Sequence, residues 1–195
     1  MFFPSSEIEV AAILSETKQP LSVAGGNTRV LVPSGSKIIS TSKLSGVIDY
    51  EPGALTMIAK AGTPLSEIQK TLTSEGQCLA FDPYNWSRFI NKKGSSTIGG
   101  VFAANVSGSS RLRVGAARDF LLGIRLVDGL GNIIQNGGRV MKNVTGYDLV
   151  KLFAGSWGTL GILTEVSFKV LPKPETEATI VIHGLDLSLI HISEP

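Results

Sequence analysis

The sequence predicts an α+β protein, and three observations carry that prediction. Short apolar runs bounded by Gly, Pro and Asn recur along the chain, the pattern of strands and their turns. Two windows, opening at Ser6 and at Thr63, join a helix-starting signal to apolar residues at helical spacing. Ile162–Val170 alternates residue by residue, the signature of a strand. Helices are interspersed among the strands, and no internal repeat is evident. At 195 residues, 43% hydrophobic and 17% charged, the composition is globular and sufficient for one large domain or two small ones.

Taken in order, Ser6-Glu7-Ile8-Glu9 has the form of a capping box, with Ser6 as N-cap and Glu9 three residues on. Ile8, Ala11, Ala12 and Leu14 form the expected buried face, and Pro20 is expected to stop the helix. Leu21–Ala24, Lys37–Ser40, Gly46–Tyr50 and Leu55–Ala61 read as short strands. Thr63-Pro64 starts a second helix, a capping hydroxyl followed by proline at the first helical position. Leu65, Ile68 and Leu72 are its apolar stripe, and Gly76 suits its C-terminal end. Cys78–Phe81 reads as a strand and Asp82–Ser95 as a long irregular loop. Phe120–Val127, Asp128-Gly129-Leu130-Gly131 and Asn132–Gln135 form a predicted β-hairpin. Asp148–Phe153 suits a short helix. Ile162–Val170 reads as a half-buried strand that Pro172 ends, and Thr179–Ile182 starts another.

Composition excludes several functions. The 18 Lys and Arg against 16 Asp and Glu leave a net charge of +2, too little for nucleic-acid binding by charge. A single cysteine, Cys78, rules out an internal disulfide and a cysteine metal cluster, and fits a reducing compartment. No apolar run reaches the length of a membrane span, and MFFPSSEIEV lacks the features of a signal peptide, so a cytoplasmic protein is expected. No P-loop motif occurs. Gly155–Gly161 precedes a strand instead of opening a long helix, so it is not a Rossmann fingerprint.

The 22 glycines point to a binding mode. Gly25-Gly26-Asn27-Thr28 follows a strand, and Thr97-Ile98-Gly99-Gly100 precedes a run, Val101–Asn105, that can turn helical. Backbone N–H groups in tight glycine turns cradle phosphate oxygens without lysine. Two such loops could clamp one pyrophosphate from both sides, although each loop alone also reads as an ordinary turn. Ser96–Ser110 carries no charge, and Arg111, Arg113 and Arg118 follow it. Those arginines are read as a surface cap, with attraction of an anionic ligand as the alternative.

Together these motifs resemble the FAD-binding domain of the vanillyl-alcohol oxidase/p-cresol methylhydroxylase superfamily. Val23–Thr28 is similar to its first pyrophosphate loop, Ser96–Ser109 to its second, and Gly155–Pro172 to its closing adenine-side segment. Gly137–Pro174, with an aromatic Trp157, is similar to the FAD-binding subunits of glycolate oxidase. The resemblance implies two α+β subdomains around FAD over residues 1–174, and the start of a substrate-cap domain, otherwise missing, over residues 175–186. It places Gly25, Gly26, Asn27 and Thr28 on one side of the pyrophosphate, and Thr97, Ile98, Gly99 and Gly100 on the other. Ala103, Asn105, Ser107 and Gly108 would line the flavin–ribityl side, and Gly161 and Ile162 would meet the adenine half. Lys142, Asn143, Tyr147 and Asp148 match a family run; Tyr147 and Asp148 are read as packing and turn residues. Asp82 is equally a loop residue of the site and a turn aspartate before Pro83.

The resemblance also implies an FAD-dependent oxidoreductase subunit acting on a small 2-hydroxy acid such as glycolate. Its implied partners are a paralogous FAD-containing catalytic subunit and an iron–sulfur subunit, which could hold it peripherally at the inner membrane. The alternative is a non-catalytic FAD-carrying relay subunit. No histidine precedes His183, so non-covalent FAD is expected, and no catalytic base or carboxylate anchor is found in Met1–Asp186. Leu187–Pro195, LSLIHISEP, resembles the translation of a sequencing adapter, so the natural gene is expected to continue past Asp186. The competing reading of Leu187–Ile192 is an ordinary apolar strand.

Overall fold

The computed structural model describes residues 1–28, 36–86, 94–138, 147–178, 181 and 183. Its frame is a five-stranded antiparallel sheet with the order β3-β4-β8-β6-β7. These strands are β3 (Val47–Glu51), β4 (Thr56–Lys60), β6 (Leu121–Asp128), β7 (Ile133–Gly137) and β8 (Gly161–Lys169). A parallel pair, β1 (Leu21–Ala24) and β2 (Lys37–Ser40), lies beside it. A short antiparallel pair joins β5 (Gln77–Cys78) to β9 (Leu171–Pro172). The class is α+β, as the sequence predicts.

The core lies against the sheet. Helix α2 (Leu65–Ser74) buries Leu65, Ile68 and Leu72, the three residues of its predicted stripe. Helix α3 (Ile98–Ala103) buries Ile98, Val101 and Phe102. Phe102 packs between Phe81 and Phe168, with ring centroids 5.8 and 5.5 Å away, and Phe81 meets Phe120 at 5.3 Å. The described residues also form three short helices: α4 (Arg111–Val114), α5 (Ala117–Phe120) and α6 (Leu149–Phe153). A smaller cluster of Val10, Ile39, Leu44, Val127 and Ile162 ties helix α1 (Glu7–Glu16) and β2 to the sheet.

A polar clamp reinforces that second junction. Arg125 on β6 donates to both carboxylate oxygens of Glu7, at 3.3 and 2.6 Å. Thr164 on β8 donates to the same carboxylate at 2.6 Å. The hydrogen bonds between Glu7 and the guanidinium raise the pKa of Arg125.

Several expectations are corrected. Ile8 is 74% exposed, and Val10 is the residue of α1 that is fully buried. Ile8 and Val10 lie about 200° apart around the helix, so they face opposite ways and the sheet takes only the Val10 side. Ser6 does accept from the N–H of Glu9, but the Glu9 carboxylate reaches back to Ser5, not to Ser6. The helix ends at Glu16, before Pro20. Thr63 does not cap α2. Its buried hydroxyl donates toward the carbonyls of Lys60 and Gly46 and accepts from the N–H of Gly46, stitching two loops together.

Strand β8 is not half-buried. As the central strand it buries Leu163 and Ser167 as well as Val166 and Phe168. Pro172 does not end the pairing, because β9 faces β5 across it. The strand at Cys78–Phe81 shrinks to β5. Tyr147 is 89% exposed and packs little, whereas Asp148 caps α6 by accepting from the N–H of Lys151. The strand expected at Thr179–Ile182 and the tail Leu187–Pro195 lie outside the described residues, as do Lys142 and Asn143.

Glu165 on β8 pairs across the sheet with Arg125 and Lys60. Burial pushes its carboxyl above the usual carboxylate range; Arg125 opposes the shift, Glu7 adds to it and Lys60 opposes it. A carboxyl raised in the folded state contributes stability below its unfolded pKa, and that contribution is lost as pH rises through the folded pKa. Glu165→Gln should therefore raise the melting temperature at about pH 7.5, with the difference vanishing near about pH 4 in parallel thermal melts.

Candidate functional site

A cleft of about 840 Å³, open to solvent, lies between β1, the start of α3 and the loop before β8. Both glycine segments form its wall, and the structure shows what their glycines do. A Cβ at Gly26 would overlap the carbonyl of Ser95, and one at Gly94 would overlap the carbonyl of Gly26. At Gly25 it would stand 2.5 Å from the Thr97 hydroxyl. The two loops therefore press backbone against backbone, and Thr28 and Ser96 link them by a 3.3 Å hydroxyl contact.

The two glycines of α3 differ. Gly99 is buried, and a Cβ there would meet Ala61 Cβ at 2.5 Å and Ala61 O at 2.7 Å. Gly100 is exposed on the cleft wall, where a Cβ would find only the Thr97 hydroxyl, at 3.1 Å. Thr97 is the N-cap of α3 and accepts from the N–H of Gly100 at 3.3 Å. The N–H groups of Ile98 and Gly99 donate to Thr63 and Ala61. So the second loop uses its leading amides internally. On the first loop, Asn27 takes φ +54°, and the N–H groups of Gly26, Asn27 and Thr28 have no acceptor among the described residues.

Of the residues expected at the site, Gly25, Gly26, Asn27, Thr28, Thr97, Gly99, Gly100, Ala103 and Gly161 line the cleft. Ile98 and Ile162 point into the two cores. Asn105 accepts from the N–H of Arg118, and Ser107 from that of Ala117, so both brace α5. Gly108 packs on the backbone of Asp82, which explains the turn at that aspartate. Arg111, Arg113 and Arg118 are exposed and off the cleft wall, in keeping with a surface role. Thr41, Tyr84, Trp157 and Leu163 also line the cleft. Sequence reasoning gave no signal for Thr41 or Leu163, which look like any residue after or within a strand. Among the described residues, no Asp, Glu, Lys, Arg, His or Cys side chain lines the cleft.

This arrangement can hold an uncharged ring system and a phosphate met by backbone dipoles. The profile of the family described as FAD binding domain matches residues 1–137. The chain belongs to that FAD-binding family. Glycolate oxidase subunit GlcE of Escherichia coli (strain K12) is 38% identical over 165 residues, covering 84% of this chain and 45% of that protein. Glycolate oxidase subunit GlcD of Bacillus subtilis (strain 168) is 32% identical over 185 residues, 91% of this chain and 38% of that one. Mitochondrial D-2-hydroxyglutarate dehydrogenase of Rattus norvegicus is 34% identical, over 88% of this chain and 32% of its own length. The solved structure of an alkyldihydroxyacetonephosphate synthase shares the fold, with a TM-score of 0.68 over 89% of this chain and 32% of that one, at 24% identity. This chain thus spans less than half the length of these relatives.

The cleft of this FAD-binding domain fits the cofactor. The N–H groups of Gly26, Asn27 and Thr28 have no acceptor among the described residues, and Gly100 leaves its part of the wall free of a side chain. The two α3 glycines can be separated by mutation. Gly99→Ala should lower the melting temperature of the apoprotein by about 2–10 °C, because it overpacks against Ala61. Gly100→Val should leave the apoprotein melt within about 2 °C, since valine is no worse than glycine in a helix, and yet sharply reduce retained flavin. Flavin absorbance per protein and thermal melts on both variants check the pair.

Proposed function

We propose that this chain is the FAD-carrying part of a glycolate oxidase-type subunit, within a complex that oxidises a small 2-hydroxy acid. The observation that carries this reading is the joining of both glycine segments on one uncharged cleft wall, in a chain whose relatives include two named glycolate oxidase subunits. Bound FAD supplies the acceptor for electrons leaving the hydroxyl-bearing carbon. In this reading the amides of Gly26, Asn27 and Thr28 hold the pyrophosphate, and Thr97 fixes α3 against it. Gly100 and Ala103 leave room for the rest of the cofactor, and Gly161 closes the wall. Attachment is non-covalent, because no His or Cys among the described residues lines the cleft.

A second reading, a relay subunit that carries FAD for a paralogous catalytic flavoprotein, draws on the same uncharged wall. A carboxylate substrate calls for an arginine or lysine anchor, and its oxidation calls for a proton-accepting base. Neither lines the cleft among the described residues. The proposed partners in both readings are that paralogous subunit and an iron–sulfur subunit. Among the described residues no helix is long and apolar enough to cross a membrane.

Two measurements test these readings. Acid precipitation of the full-length flavoprotein should leave yellow flavin in the supernatant; flavin in the pellet refutes non-covalent attachment. Anaerobic glycolate should bleach the flavin of the full-length subunit alone if it is the enzyme, and only in the presence of its partners if it is a relay. Failure of glycolate to bleach flavin in the assembled complex would remove the glycolate assignment.

A further inference from the structure

We propose that β7 is the interface through which two copies of this chain pair edge to edge, extending the sheet across a twofold axis. No residue of β7 lines the cleft, and the proposal does not rest on the FAD reading. β7 is the last strand of the five-stranded sheet, and among the described residues no strand lies beyond it. An edge strand presents a row of N–H and C=O groups that a further strand can take up. The ladder shows which groups these are. The N–H of Asp128 donates to the carbonyl of Asn132, and the N–H of Gly138 to that of Leu122. Successive residues of a strand point their backbone groups to opposite sides, so Asn132, Ile134, Asn136 and Gly138 face β6. Ile133, Gln135 and Gly137 therefore turn their N–H and C=O groups outward.

The two edges of this sheet differ. At the far edge, β3 carries Asp49 and Glu51, shifts register against β4 between Val47 and Asp49, and runs into Pro52. Charge, a bulge and proline are the devices that keep an edge from meeting another strand. Two copies of β3 would also set carboxylate against carboxylate. β7 reads Ile133-Ile134-Gln135-Asn136-Gly137 and has none of these devices. Its apolar surface is left in solvent: Ile133 is 44% exposed, and Leu130, in the turn that leads into β7, is 79% exposed. Arg125, which lies opposite Gln135 in the ladder, is already matched. It holds Glu7 at 2.6 Å and donates to Oε1 of Gln135 at 3.0 Å. An uncharged strand is complementary to itself when run antiparallel. In the register centred on Gln135, the outward groups of each strand meet those of the other. Ile133 of each copy then lies beside the Gly137 of its counterpart, where no side chain competes for space. Within this sheet only β7 is open, so two copies join β7 to β7 and the association closes at a dimer.

The test is the oligomeric state of the full-length protein, by sedimentation equilibrium over about a hundredfold range of concentration. The wild type should sediment as a dimer. Gln135→Pro removes the central outward N–H, which the ladder with β6 does not use, and should give a monomer that still unfolds cooperatively. Ile133→Lys, a milder change at an exposed position, should also shift the equilibrium to monomer. Ile48→Lys, at an exposed position of the far edge, should leave the dimer intact. Gln135→Cys should cross-link two copies on mild oxidation, since paired residues of an antiparallel ladder lie about 5.5 Å apart, within disulfide reach. A monomeric wild type would overturn the proposal. So would a dimer that survives both Gln135→Pro and Ile133→Lys, or one in which Gln135→Cys yields no cross-link. None of these readouts requires flavin, so a failure here leaves the FAD reading untouched, and a failure of that reading leaves this test standing.

Discussion

The contact on which the rest of the structure depends is the one between two stretches of bare backbone. Gly26 lies against the carbonyl of Ser95, and Gly94 against that of Gly26, at separations that admit no side chain. Gly99 repeats the device against Ala61. These approaches bring β1 and α3 together, and the cleft is the space left above their junction. Any larger residue at these positions would part the loops, and the two halves of the wall would no longer face one ligand. Glycine is needed here for closeness more than for freedom of rotation.

That closeness has an electrostatic counterpart. The described part of the wall, which has no charged side chain, meets an anion only through the partial charges of N–H groups and hydroxyls. Such dipoles act at short range, so they are effective only if they are held in place before the ligand arrives. The Thr28–Ser96 contact, the Thr97 cap and the amides of Ile98 and Gly99 all serve that fixing role. The division of labour follows: the second loop uses its leading amides to hold itself still, while the first-loop amides of Gly26, Asn27 and Thr28 have no acceptor among the described residues.

Much of this was legible in the residues. Strands β1 and β2 and the stripe of α2 follow from local pattern, because turn chemistry and helical spacing are properties of neighbouring residues. The glycine pairs drew attention to two loops, and both line one cleft. What failed was whatever depended on distant partners. The alternation of Ile162–Val170 cannot reveal that β4 and β6 flank it and that both its faces are covered. Thr63 has the local form of a cap, yet Gly46 and Lys60 claim its hydroxyl. Asn105 and Ser107 accept from the backbone of α5, a contact that no local pattern announces.

The Glu7 clamp has a bearing on how the chain is made. Glu7 meets Arg125 across 118 positions and Thr164 across 157. At a synthesis rate of roughly 5–20 residues per second, about 8–30 seconds separate the emergence of Glu7 from that of Thr164, 157 positions later. For most of that interval, until β6 is made, the nascent helix lacks the strand that carries Arg125 and Val127. Val10 and Ile39 are likewise exposed until Val127 and Ile162 leave the ribosome. Helix α1 is thus made well before it can be fully seated, and its apolar side is the surface that a chaperone would meet on the growing chain.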